Sequence, residues 1–239
     1  MLALVRIILM AIAIVLISIV SCCYSLLRPF HRNNVFHTAK VMGKVSKLLG
    51  LTVEVRIPES VKQLSPVVYI CNHQNSYDIF TVSNAVRPGT VSVGKKSLKW
   101  IPFFGQMYWL TGNILIDRNN RNKAMNTIAL TAEKIREKQL SVWLFPEGTR
   151  SNGRGLLPFK TGAFRTALQA NVPIVPICTS ELHNKIKLNR WNNGKLIIEY
   201  LDPIYLTDKS SESVRVATNE ARDLMLKKIE EISAEAQSK

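Results

Sequence analysis

From Ile7 to Leu27 the chain runs 21 residues without a charge, IILMAIAIVLISIVSCCYSLL. A helix of that length rises about 30 Å at ~1.5 Å per residue, roughly the thickness of a bilayer's hydrocarbon core. A cleaved secretory signal needs a small-residue site of the A-x-A type, which the run lacks; Ile19-Val20-Ser21-Cys22 only loosely resembles a lipoprotein-type site. Arg6 alone precedes the run, whereas Arg28, Arg32, Lys40, Lys44 and Lys47 follow it. That asymmetry keeps the downstream chain on the cytoplasmic side. The run therefore reads as an uncleaved anchor that spans or re-enters.

The next segment, Asn33–Leu49, repeats apolar Val35, Phe36, Ala39, Met42, Val45 and Leu49 at helical spacing, with Lys40, Lys44 and Lys47 on another face. Beside an anchor, a basic amphipathic helix suits the headgroup layer of anionic lipids. The plain alternative is a surface helix packed on a core. Net charge separates the rest. Residues 1–60 carry 7 basic and 2 acidic side chains, residues 61–160 carry 14 and 5, and residues 161–239 carry 11 and 10. Of the net +15, +14 thus lies in the first two thirds, which face an anionic partner: nucleic acid, a membrane surface or a phosphorylated substrate. The four cysteines (Cys22, Cys23, Cys71 and Cys178) all sit in apolar runs without C-x-x-C or zinc-ligand spacing. They read as buried, reduced thiols.

After Gly50 short β-branched runs alternate with amphipathic helices. Strands are expected at Thr52–Ile57, Val67–Cys71, Thr90–Val93, Asn113–Ile116, Ser141–Phe145, Ile174–Thr179 and Lys195–Leu201. The first should lie near an edge, because Pro58 ends it. Helices are expected at Tyr77–Val86, Lys123–Lys138, Thr161–Ala170 and Ser213–Ala236. This alternation implies an α/β fold with a single, largely parallel sheet flanked by helices. Residues 1–50 then form the anchor and interfacial helix, and residues 51–239 one α/β domain.

Four strand ends carry chemistry, where open α/β sheets hold their sites. His73 emerges after Val67–Cys71, and Asp78 falls in the first turn of the next helix. A carboxylate on one ring nitrogen fixes the tautomer and makes the other a usable general base. The bland reading is a turn-capping His beside a helix-initiating Asp. Phe145-Pro146-Glu147-Gly148-Thr149-Arg150-Ser151 joins an acid, a flexible Gly, a hydroxyl and a guanidinium whose fork matches phosphate oxygens. Asn113–Ile116 delivers Asp117 and Arg118, and Val93-Gly94 delivers Lys95 and Lys96. Any one could be a solvated basic loop; four on one sheet form a pattern. A nucleic-acid-binding reading lacks a helix-turn-helix, zinc or RNP-like signal. A thioesterase or lysophospholipase would use the same His and Asp with water as acceptor.

These blocks are similar, in order and spacing, to the signatures of the glycerolipid acyltransferase family: His73-x-x-x-x-Asp78, Gly112-x-x-x-Ile116-Asp117-Arg118, Phe145-Pro146-Glu147-Gly148-Thr149-Arg150 and Val172-Pro173-Ile174-Val175-Pro176. Lys95-Lys96-Ser97-Leu98, Trp100–Gly105 and Lys160–Phe164 resemble its bacterial lysophosphatidic acid acyltransferase branch, and Gln74-Asn75-Ser76 stands where the family often has Ser or Ala. The resemblance covers roughly residues 40–205. It implies acyl transfer from acyl-CoA or acyl-carrier protein, as co-substrate and without a cofactor or metal, to the sn-2 hydroxyl of lysophosphatidic acid. His73 and Asp78 are implied as the catalytic pair. Lys95, Arg118 and Arg150 are implied as phosphate ligands, and Glu147, Gly148 and Thr149 as the acceptor pocket. Arg118 and Arg150 are expected at neighbouring strand ends. No G-x-S-x-G elbow is present, so direct attack without an acyl-enzyme is expected. The branch also implies a bacterial inner-membrane location with membrane lipids as partners and no nucleic acid.

Overall fold

Alternating burial decides the architecture. In Val68–Cys71 (β2), Val68 and Ile70 enter one hydrophobic cluster while Tyr69 and Cys71 enter another; in Ser141–Leu144 (β5), Val142 and Trp143 divide the same way. Strands buried on both faces must be covered on both. The computed structural model describes residues 1–116 and 121–238. It adds Leu51–Arg56 (β1), Thr90–Lys95 (β3), Ile114–Ile116 (β4), Ile174–Thr179 (β6) and Gly194–Tyr200 (β7), in the order β1-β7-β6-β2-β5-β3-β4. β6 and β7 pair antiparallel, and every other neighbouring pair is parallel. The expected largely parallel sheet is present, with β1 at its edge.

The helices are Leu2–Leu27 (α1), Asn34–Lys44 (α2), Glu59–Lys62 (α3), Asp78–Thr81 (α4), Phe104–Leu110 (α5), Arg121–Lys138 (α6), Gly162–Ala170 (α7) and Ser211–Glu235 (α8). Ile135 of α6, Phe164 and Ala167 of α7, and Ala221, Met225 and Ile232 of α8 cover one face of the sheet. Met10 of α1, Met42 of α2 and the following 3₁₀ residues Val45 and Leu49 cover the other, against Tyr69, Trp143 and Tyr200. The helix expected over Tyr77–Val86 is instead α4 followed by a 3₁₀ turn, Val82–Ala85. Ser83 Oγ donates to the Ile79 carbonyl (2.7 Å) and Asn84 Nδ2 to those of Phe80 and Thr81, so polar side chains compete with the helical ladder there.

The first two helices behave differently from each other. In α2, Val35, Ala39 and Met42 are buried while Lys40 and Lys44, like Lys47 in the following 3₁₀ turn, lie outward, so its apolar stripe faces the core. α1 is docked along one side and bare on the other. The buried Arg6 donates to the carbonyls of Leu188 and Trp191 (3.0 Å each) and of Arg190, while Ala3 N–H donates to Asn189 Oδ1 (2.9 Å). Ala13, Ile14 and Ile17 follow Met10 onto the core. Beyond the helix, the Phe30 ring meets Trp109 edge-on, with centroids 5.1 Å apart. Leu4, Ile8, Ile12, Leu16, Val20 and Leu27 remain exposed. On this bare side Cys23 is exposed and Cys22 half-buried, unlike the expected four buried thiols; Cys71 and Cys178 are buried.

Candidate active site

Because β2, β3, β4 and β5 run parallel, their C-terminal ends share one edge of the sheet. His73 stands two residues past β2, and Asp78 is the first residue of α4. The turn between them is drawn tight by short polar side chains. Asn75 Oδ1 accepts from Tyr77 N–H (2.8 Å), and Asp78 Oδ2 accepts from Gln74 N–H (2.7 Å) and Asn75 N–H (3.2 Å). The same oxygen lies 2.6 Å from His73 Nδ1. Asp78 therefore caps the turn and also grips the imidazole. The His–Asp contact that the spacing allowed is present, together with the helix-initiating Asp of the bland reading.

Three further groups fix His73. Its ring stacks on Phe145, with centroids 4.0 Å apart and planes at 17°. Its N–H donates to Glu147 Oε1 (2.6 Å), and its carbonyl accepts from Ser151 N–H (2.8 Å). Asn152 N–H donates to the Gln74 carbonyl (2.9 Å), so the loops after β2 and β5 are laced together. On the opposite flank, Asn72 exchanges bonds with the Thr179 backbone, Nδ2 to O at 3.0 Å and N to Oδ1 at 2.8 Å. Gln74 Nε2 donates to Thr179 Oγ1 and to the Ser180 carbonyl, both at 2.8 Å, and Leu182 N–H donates to Gln74 Oε1 (2.6 Å). The turn that carries His73 is thus braced by the loop after β5 on one side and by the end of β6 on the other.

Glu147 faces inward. It is buried, and Oε2 accepts from Leu157 N–H (3.0 Å) while Oε1 holds His73. Burial pushes its pKa above the ordinary glutamate value, and the two backbone donors partly oppose that rise. It is a brace for the His73 backbone, whereas Thr149 and Arg150, after Gly148, are exposed at the rim. Gly148 has φ +70°, the left-handed region in which a side chain is disfavoured. Arg150 Nη1 donates to Ser76 Oγ (3.1 Å), so its guanidinium reaches back across the turn that carries His73. Lys95 ends β3 at the same edge and is exposed. Arg118 lies outside the described residues. Its strand, β4, is separated from β5 by β3, so Arg118 and Arg150 do not follow neighbouring strands as the spacing suggested.

Sequence reasoning missed Phe145 as a stacking partner and Asn72 and Gln74 as braces. The available signal was the alternation Asn72-His73-Gln74, which sends Asn72 and Gln74 inward and His73 toward the opening. An imidazole whose Nδ1 faces a buried carboxylate presents Nε2 as the free proton acceptor. Such a site can deprotonate a hydroxyl and hold an anionic group beside it.

Comparison with known proteins gives the family. An acyltransferase family model matches residues 52–180. The chain is 53% identical to the 1-acyl-sn-glycerol-3-phosphate acyltransferase of Haemophilus influenzae, over 98% of both chains. It is 48% identical to that of Escherichia coli, over 98% of this chain and 96% of the relative. Its fold is that of the crystal structure of the Thermotoga maritima 1-acyl-sn-glycerophosphate (LPA) acyltransferase, with a TM-score of 0.75 at 22% identity, covering 98% of this chain and 95% of that one.

Proposed function

Since the chain belongs to the acyltransferase family, we propose that it moves a fatty acyl group from an acyl thioester, acyl-CoA or acyl-carrier protein, to the sn-2 hydroxyl of lysophosphatidic acid. The product is phosphatidic acid, for phospholipid synthesis. The 2.6 Å contact between His73 Nδ1 and Asp78 Oδ2 carries the reading. Nε2 takes the proton of the acceptor hydroxyl as its oxygen attacks the thioester carbonyl. The C–S bond then breaks, and the thiolate leaves with the proton from the imidazolium. Asp78 holds the ring and offsets its transient charge, and Glu147 and Phe145 keep it in place. Arg150 and Lys95 bind the acceptor phosphate at the rim, with Arg118 the further phosphate ligand that the sequence motif suggests. The thioester is the only co-substrate this scheme requires, and no cofactor enters it.

The apolar N-terminal helix fits membrane association. In this reading α1 lies in the inner membrane's cytoplasmic leaflet, bare side to lipid, and the acceptor reaches the site from the bilayer. In purified His73→Ala, phosphatidic acid formation falls by about 10²–10⁴-fold, the usual contribution of a general base. Turnover close to wild type, or free fatty acid as the main product of the wild type, overturns the reading.

A further inference from the structure

The loop after β5 holds a cation that the scheme above does not use. Lys160 N–H donates to the Pro146 carbonyl (2.8 Å), which ties that residue's backbone to the loop. Its side chain lies over Gly148: a Cβ built there would come within 2.8 Å of Nζ, 3.0 Å of Cε and 3.2 Å of Cδ. The φ of +70° at position 148 favours glycine, and the lysine side chain occupies the space above it. The nearest acid in the loop is already engaged, because Glu147 turns both oxygens inward onto the N–H groups of His73 and Leu157. The Lys160 ammonium is left at the exposed rim, over the residue that follows Glu147 and two residues before Arg150.

We propose that Lys160 is a further substrate-binding residue whose ammonium takes an oxygen of the acceptor's phosphate monoester beside Arg150. The inference rests on the acyl-transfer reading. The acceptor carries its hydroxyl and its phosphate on adjoining glycerol carbons, so whatever binds the phosphate must stand close to His73. Lys160 meets that requirement through one residue: Gly148 beneath its ammonium adjoins Glu147, which touches His73. A compact ammonium and a planar guanidinium are complementary here, the first a point charge and the second a directional fork. The donor's carrier also bears phosphates, and the kinetics separate the two sources.

The test uses the full chain in detergent micelles, with wild type, Lys160→Met and Lys160→Arg. With lysophosphatidic acid, Lys160→Met should raise the acceptor KM roughly 10-fold or more, the scale of one charge-assisted hydrogen bond, and Lys160→Arg should recover most of it. The thioester KM should stay unchanged, and with 1-monoacylglycerol, which lacks the phosphate, wild type and Lys160→Met should be equal. Equal losses on both acceptors, a change in the thioester KM alone, or no change at all would each overturn the proposal. Calorimetric binding of glycerol 3-phosphate keeps the two readings apart. If the wild type binds it and Lys160→Met does not, the phosphate site stands even where acyl transfer to lysophosphatidic acid fails. If both bind it equally, Lys160 has no such role.

Discussion

Replacing Asp78 with Asn removes a charge and keeps an oxygen. Asp78 Oδ2 meets three partners: His73 Nδ1 at 2.6 Å and the N–H groups of Gln74 and Asn75 at 2.7 and 3.2 Å. The two backbone donors cannot turn away, so they hold the Asn carbonyl where Oδ2 stood and send the amide NH₂ to the other side. His73 keeps its Nδ1–H tautomer. A serine-protease triad whose Asp becomes Asn presents the amide to the ring instead, and the wrong tautomer costs ~10⁴-fold there. What this site loses is the anion facing the imidazolium in the transition state. Unit charges about 4 Å apart attract by ~4 kcal/mol at an effective dielectric near 20. A neutral hydrogen bond retains ~0.5–1.5 kcal/mol of that. The deficit of roughly 2.5–3.5 kcal/mol corresponds to a fall of about 10²–10³-fold in kcat. Asp78 is buried behind the ring, so both KM values should hold within about threefold. Steady-state kinetics on a purified variant with unchanged Tm decides it. A kcat within tenfold of wild type would remove imidazolium stabilisation from the mechanism, and a loss near 10⁴ would show that the amide had turned.

Arg150→Ala should raise the KM for lysophosphatidic acid about 10- to 100-fold and leave the thioester KM alone, since a charge-assisted bond contributes ~1.5–3 kcal/mol; a change confined to the donor would move Arg150 to carrier binding. Glu147→Gln points an amide at one of two buried N–H donors, so kcat should fall by about 10- to 100-fold, from ~1–3 kcal/mol of lost support, while the acceptor KM moves little. Because burial raises the Glu147 pKa, its stabilisation is full below the ordinary value of 4.5 and declines as pH rises through the raised one; the Tm difference between wild type and Glu147→Gln should narrow from acid to neutral pH. Glu54 behaves with the opposite sign: hydrogen bonds from Lys195 and Arg56 hold its pKa down at about 2, so its stabilisation is present above the ordinary 4.5 and lost as pH falls toward 2. The Tm gap between wild type and Glu54→Gln should therefore close between those values, and a gap constant with pH would show that the pairing contributes nothing.

The strands were legible because each is short, β-branched and bounded by turn residues, and burial on both faces left no amphipathic ambiguity. The 3₁₀ turn at Val82–Ala85 was not, because its cause is three side-chain bonds to carbonyls, which no periodicity registers. At the site, His73 and Asp78 could be found because both halves of the pair lie in one turn. Glu147 was found for its residue type, but its partners were not: the N–H groups of His73, 74 positions away, and Leu157, ten positions on. Phe145 was hidden within an apolar run, since stacking on His73 depends on β2 and β5 being neighbours. Strand order, by the same token, puts β3 between β4 and β5, which the spacing did not reveal. Local chemistry was readable; the adjacency that gives it a role comes from the sheet.

The N-terminal helix shows how far hydropathy alone carries. A 21-residue apolar run fits membrane association, and length cannot tell a perpendicular helix from one lying flat. The discriminating residue is Arg6. Its guanidinium is buried and bonded to three carbonyls of the segment before β7, and pulling it away would leave a charge and those carbonyls to find other partners. Because β7 runs antiparallel to β6, that segment sits at the edge of the sheet that carries His73. The far end of the helix leads to Phe30, against Trp109 of α5, which precedes β4 and so lies toward the opposite edge. A helix held at both ends across a sheet face cannot also stand upright in a bilayer with the domain outside it. Its bare side, with Phe103 and Trp191 exposed nearby in the fold, fits membrane association along the helix's length. In the proposed reading, a lysophospholipid whose phosphate lies at the headgroup level meets the site's cations at the sheet edge while its acyl chain stays in the lipid. The same reading gives a reason for Arg6 to tie the start of the helix beside the edge that carries His73.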